Sequence, residues 1–174
     1  MGPLDTVIVF AYGSNMFTVR IRERVPSAEP WGIGQLTGHT LRWHKRSTKD
    51  GSGKCDAEFT GHDVDVVWGV LFTCPVSEKL YLDQDEGLGS GYDEKEVEII
   101  TETGALTAFM YFATDKDPSL QPYHWYKGWV VRGALEHGLP QDYIARLESV
   151  SSIPDPDRER ANKNEQLLFP HPPC

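Results

Sequence analysis

The sequence predicts an α+β fold in which an antiparallel or mixed sheet curls into a small barrel. Strand-like and helix-like segments do not alternate in the βαβα order that a doubly wound parallel sheet requires. The extended pieces are short and are punctuated by glycine, proline and polar turns. The length, 174 residues, suits one domain around one core, and no internal repeat is visible.

Residues 6–12 are short, β-branched and apolar on both faces, as a buried strand should be. FTVRIRERVP then sets Phe17, Ile21 and Arg24 at helical spacing, with Pro26 ending the helix. Gly32, Gly34 and Gly38 mark short strands around WGIGQL and HTLRWHKR, and STKDGSGK, 47–54, reads as an exposed hairpin loop. Residues 65–75 return to a strand that Pro75 stops. A short helix over 77–87 has Ser77 as its cap and Gly87 at its end. Strands at 93–101 and 106–114 flank a hairpin turn at Glu102-Thr103-Gly104. A helix over 123–138 places Trp125, Trp129 and Val130 on one face, and Pro140 opens a last helix at its first position. Residues 1–152 thus form the folded domain, and 153–174 read as a proline-rich, charged tail without a core of its own.

Composition excludes some functions. The formal net charge is −9, from 17 basic and 26 acidic residues, and no basic stripe accompanies the aromatics. Nucleic-acid binding rests largely on neutralising phosphates with Lys and Arg, so it is not expected. Cys55, Cys74 and Cys174 are odd in number and lack CxxC spacing, which indicates reduced thiols rather than disulfides or zinc. No basic segment followed by an apolar stretch of about 7–15 residues marks a signal peptide. No apolar run reaches the roughly 20 residues that span a bilayer. A soluble, cytoplasmic protein is expected.

Two stretches stand out chemically. LDQDEGLGSGYDE, 82–94, puts Asp83, Asp85 and Glu94 at positions one, three and twelve of a calcium loop, but Leu88 occupies the position that needs glycine. Asp83 and Asp85 therefore read as a solvated helix end. Glu86 is placed against its preference, since the macrodipole disfavours a carboxylate at a helix C-terminus. In FAYGSNM, Ser14 lacks the G-x-S-x-G elbow of a nucleophile, and no phosphate loop follows the strand. From residue types, the turn is either plain strand-to-helix punctuation or a cradle of N–H groups for a carboxylate or oxyanion.

FAYGSNM, LDQDEG and GALEHGLPQDYIARL, taken together, resemble the γ-glutamylcyclotransferase family. RIRERVPSAE, VWGVLF and YKGWVVRGA extend the likeness over roughly residues 7–150, and the GLP-containing segment favours that family over its AIG2-like and γ-glutamylamine cyclotransferase cousins. The resemblance implies a small mixed β-barrel with flanking helices. It implies that Glu86 is the catalytic residue and that Tyr12, Gly13, Ser14, Asn15 and Met16 hold the γ-glutamyl group. It also matches Tyr111, and Tyr92 after the glycine-rich turn, to substrate-binding tyrosines. The implied reaction is attack of a substrate's own α-amino group on its γ-carbonyl, releasing 5-oxoproline and an amino acid, peptide or amine. A variant enzyme acting on a γ-glutamyl amine, or a binding module without turnover, are the competing readings. No metal or cofactor is expected, the partner is a small γ-glutamyl compound, and relatives suggest a homodimer.

Overall fold

The computed structural model describes residues 5–169. β1 (Thr6–Ala11) buries Val9, Phe10 and Ala11, as its uninterrupted apolar run demands. Its two neighbours come from far along the chain. β5 (Val66–Pro75) runs antiparallel to it, with Thr6 opposite Pro75 and Ala11 opposite Val70. β7 (Gly104–Ala113) runs parallel, with Val9 opposite Phe109. β2 (Glu29–Thr37) and β6 (Tyr92–Thr101) complete a closed barrel in the order β1-β5-β2-β6-β7. The β1–β7 pair makes the barrel mixed, and closure leaves no sheet edge exposed.

β3 (His39–Arg46) and β4 (Gly53–Phe59) form a separate antiparallel hairpin. It is bonded to the barrel where the Ala113 N–H donates to the buried Asp56 carboxylate across 2.8 Å. The tip of its loop is exposed at Thr48, Lys49 and Gly51, as expected, but the base is not. Ser47 and Ser52 are buried, the Ser47 N–H donates to the Ser52 carbonyl at 2.9 Å, and the Tyr123 hydroxyl donates to the Asp50 carbonyl at 3.3 Å. Its polar side chains satisfy one another, so burial costs little.

The helices pack outside. α1 (Thr18–Arg22) is short, and α2 (Val76–Asp85) follows β5 directly. Pro75, not Ser77, is the N-cap of α2, and Gly87, at φ +65°, ends it in the left-handed region. α3 (His124–Glu136) buries Trp125, Trp129 and Val130, and α4 (Gln141–Glu148) buries Tyr143, Ile144 and Leu147. Pro140 caps α4 one position earlier than expected.

The segment after Ile153 adds no residue to the buried apolar core, as expected of a piece without a core of its own, but it is folded and tied to the domain. Asp157 caps α5 (Arg158–Glu165), accepting from the Arg160 N–H at 3.0 Å. The Asp155 side chain is fully buried; it accepts from Trp125 Nε1 at 2.8 Å and from Arg160 Nε and Nη2 at 2.7 and 2.6 Å. Trp129 Nε1 donates to the Asn164 carbonyl at 3.0 Å. Two indoles of α3 and one buried carboxylate thus hold a segment whose polar composition masks its packing. Cys174 and the final prolines lie outside the described residues.

Candidate active site

After β1 the chain passes Tyr12 and Gly13 into a single 3-10 turn, Ser14–Met16. The buried Tyr12 hydroxyl donates to the Tyr111 carbonyl at 2.5 Å, fixing the exit of β1 against β7. A Cβ on Gly13 would stand 3.0 Å from Cys55 Cβ and 3.2 Å from the Tyr126 hydroxyl, so glycine lets the turn seat closely against β4 and α3. The Met16 and Phe17 N–H groups bond back to the Gly13 and Ser14 carbonyls, both at 3.1 Å. The Ser14 and Asn15 N–H groups have no acceptor among the described residues, and both residues line a cavity of about 1010 Å³.

Glu86, at the C-terminus of α2, lies on the same wall. Asn15 Nδ2 donates to its Oε1 at 2.9 Å, while Asn15 Oδ1 accepts from Arg24 Nη2. The amide is therefore oriented from behind, oxygen to the guanidinium and nitrogen to the carboxylate. Burial raises the Glu86 pKa above the ordinary value, assisted by Asp85 and opposed by Arg24, Asn15 and Lys45. A raised carboxylate pKa suits a group that takes a proton and returns it.

Tyr92 and Tyr111 line the cavity too, as the family resemblance implied for substrate-binding residues. The buried Tyr92 hydroxyl donates to the Cys55 carbonyl at 2.8 Å. The Tyr111 hydroxyl is bonded to Asp83, so its ring rather than its oxygen is offered to a ligand. Met16 stands apart. It is completely buried and off the cavity wall, packed where a Cβ on Gly133 would come within 2.7 Å of Met16 Cβ.

Asp83 and Asp85 are not solvated. Lys79 bonds Asp83 at 2.9 Å and also pairs with Glu94, so two of the carboxylates that mimicked a calcium loop neutralise a lysine instead. Asp85 sits between Arg24 Nε at 3.4 Å, Lys49 Nζ at 3.0 Å and Arg20 Nη2 at 3.8 Å. Among the described residues no group of three or more His, Cys, Asp or Glu is placed to hold a metal ion.

Sequence reasoning missed the cations and Tyr126. The Tyr126 hydroxyl accepts from the Cys55 N–H at 3.0 Å and closes the wall beside Gly13. Lys54 Nζ lies 4.3 Å from the Tyr126 ring centre and 4.4 Å from that of Trp125, bonded to Asp50 at 3.1 Å, and burial lowers its pKa to about 8. Local spacing carries no signal for these residues, because β3, β4 and α3 meet only in the tertiary fold. Cys55 is buried on the wall, and burial pushes its thiol pKa up, away from thiolate reactivity.

A buried carboxylate of raised pKa, N–H groups without an acceptor among the described residues and a partly aromatic, cation-bearing cavity together suit an acyl transfer on a small anionic substrate. Comparison with known proteins agrees. The AIG2-like family matches residues 66–147. A γ-glutamylcyclotransferase of Bos taurus is 31% identical over 168 residues, covering 94% of this chain and 86% of the relative. That of Homo sapiens is 33% identical over 151 residues, covering 84% of this chain and 79% of the relative. A solved γ-glutamyl cyclotransferase superposes with a TM-score of 0.83 at 29% identity, covering 93% of this chain and 99% of that one. Sharing about a third of its residues with such relatives over most of their length, and their fold, this chain belongs to the γ-glutamylcyclotransferase family.

Proposed function

We propose that the cavity cyclises γ-glutamyl compounds to 5-oxoproline with Glu86 as the base. The observation that carries this reading is the 2.9 Å bond from Asn15 to Glu86, which joins the YGSN turn to a wall carboxylate whose pKa burial raises. The substrate brings its own nucleophile, so the site has to orient, deprotonate and stabilise, with no external nucleophile.

Glu86 takes a proton from the α-ammonium, and the freed amine attacks the γ-carbonyl carbon to close a five-membered ring. Ser14 and Asn15 N–H groups stabilise the developing oxyanion. As the carbonyl reforms, the bond to the leaving nitrogen breaks, Glu86 returns its proton there, and the ring nitrogen gives up its second proton to the departing amine, which leaves as an ammonium. Atoms and charge balance, and the carboxylate is regenerated. The remaining substrate contacts are the cavity faces of Tyr12, Gly13, Tyr92 and Tyr111.

Cytoplasmic operation belongs to the same reading, supported by the unbonded thiols of Cys55 and Cys74 and by the lack of any helix long and apolar enough to cross a membrane among the described residues. The acidic balance supports a partner that is not nucleic acid. A homodimer is carried by the family resemblance alone.

The test is 5-oxoproline release from γ-glutamyl-L-alanine, γ-glutamyl-ε-lysine and glutathione. Turnover of the first is expected. Release from the γ-glutamyl amine alone would move the assignment to a variant cyclotransferase, and release from none would leave a binding module.

A further inference from the structure

Lys45, in β3, is a cation on the cavity wall without an anion. Its residue is 5% exposed, and its ammonium lies 4.5 Å from the Tyr92 ring centre and 3.2 Å from where a Cβ on Gly91 would stand. Among the described residues its Nζ makes no hydrogen bond and no ion pair, yet it is not sealed off, because Lys45 lines the cavity. The neighbouring cations are already engaged: Lys49 and Arg20 by Asp85, Lys54 by Asp50. Taking an ammonium out of water costs free energy that an anion would offset. Burial indeed lowers the Lys45 pKa, and the carboxylate that opposes this most is Glu86.

That proximity selects the ligand group. In a γ-glutamyl unit the α-ammonium and α-carboxylate share one carbon. If Glu86 receives the ammonium proton, the carboxylate must lie within a few bonds of Glu86, on its cationic side. Lys54 does not compete for it, since its ammonium is enclosed by aromatic rings and paired with Asp50.

We propose that Lys45 receives the α-carboxylate of the γ-glutamyl unit, which leaves the Ser14 and Asn15 N–H groups to the γ-carbonyl oxygen. This rests on the cyclotransferase reading and deepens it. The enzyme then recognises a free α-carboxylate by a single buried charge, with Tyr92 supporting the lysine stem from below. A 4-aminobutanoyl amide, which keeps the amine and the carbonyl but lacks that carboxylate, becomes a poor substrate although its ring closure to 2-pyrrolidinone is chemically equivalent.

The experiment compares γ-glutamyl-L-alanine with 4-aminobutanoyl-L-alanine in wild type, Lys45→Met and Lys45→Arg. Losing one charge-assisted hydrogen bond corresponds to about 10- to 100-fold in kcat/KM, the expected preference of wild type. In Lys45→Met, whose side chain still covers Tyr92, the preference collapses because only the carboxylate-bearing substrate slows. Lys45→Arg restores part of it. Equal slowing of both substrates, or a preserved preference in folded Lys45→Met, overturns the proposal. Calorimetric titration of wild type with 5-oxoproline and 2-pyrrolidinone decides the matter without a variant: equal affinities overturn it, and a selective loss of 2-pyrrolidinone binding supports it. That titration also separates the two readings, since a wild type that turns over no γ-glutamyl compound fails the activity assignment while the product pair still reports on Lys45.

Discussion

Gly133 of α3 is packed against the backbone of Phe17, so that a Cβ at position 133 would lie 2.5 Å from the Phe17 nitrogen and 2.6 Å from the Met16 carbonyl carbon. The atoms in the way are main chain and cannot swing aside. Gly133→Ala is therefore expected to push the Ser14–Met16 turn off α3, at a cost of roughly 1–3 kcal/mol in stability. Because that turn carries Asn15 and the free N–H groups, turnover should fall on the order of 10- to 100-fold. Thermal melting alongside steady-state kinetics checks both effects, and an unchanged kcat/KM would show that the contact does not set the turn.

Glu86→Gln keeps the volume of the side chain and its bond to Asn15 but cannot accept the ammonium proton. Turnover should drop by roughly 100-fold or more, with substrate binding retained. Glu86→Asp should be impaired as well, since a carboxylate withdrawn by one methylene no longer reaches the amine. Near-normal turnover in folded Glu86→Gln would sink the mechanism.

The raised pKa of Glu86 also predicts the sign of two pH dependences. Activity requires the carboxylate, so kcat/KM should fall as pH drops through a value above the ordinary 4.5. For stability the sign is the reverse of a salt-bridged acid. The folded protein holds the proton more tightly than the unfolded chain, so ionised Glu86 destabilises the fold, with no effect below 4.5 and the full effect above the raised folded value. Glu86→Gln should consequently melt at or above the wild-type temperature at neutral pH. A clear loss of melting temperature would mean that the carboxylate holds the fold together.

Asp155 behaves in the opposite sense. Its bonds with Arg160, and then with Trp125, lower its pKa from 3.8 to about 2. Its stabilisation is present above 3.8 and is lost as pH falls toward 2. Asp155→Asn should cost about 2 kcal/mol at neutral pH and release α5 from the cavity rim, seen as faster amide exchange over residues 158–165. Unchanged exchange would show that the Trp129–Asn164 bond suffices.

Replacing Cys55 and Cys74 by Ala is expected to leave 5-oxoproline formation within a few-fold of wild type. Burial raises both thiols, Cys74 to about 11, so neither is a thiolate at neutral pH. Rapid inactivation by stoichiometric alkylation at Cys55, without unfolding, would contradict the mechanism.

The barrel strands and the helices before residue 150 were legible in the sequence because each carries its own local period and its own punctuation, as Pro75 and Gly87 do. Glu86 stands out locally because a carboxylate is disfavoured at a helix C-terminus, whereas the roles given to it and to YGSN come from the family resemblance. The charge environment was not. Asp85 looks like one acid among several until α1 and the β3–β4 loop bring Arg20, Arg24 and Lys49 to it. Lys45 and Lys54 lie on paired strands whose register brings them opposite one another, and nothing within either strand announces the cavity. The C-terminal segment misled for a related reason: its anchor is one buried aspartate amid charged neighbours, and composition averages that aspartate away.

The placement of β1 between β5 and β7 has a consequence for biogenesis. β1 is synthesised before both of its partners, and it cannot take its parallel neighbour until β7 has been made. Until then one edge of an apolar strand lacks its partner and must be kept from pairing elsewhere, and non-local closure of this kind is slow. Asn15 and Glu86 meet only after that closure has a scaffold. The nascent chain is thus aggregation-prone and catalytically silent for most of its synthesis, and it gains activity and protection in one late step.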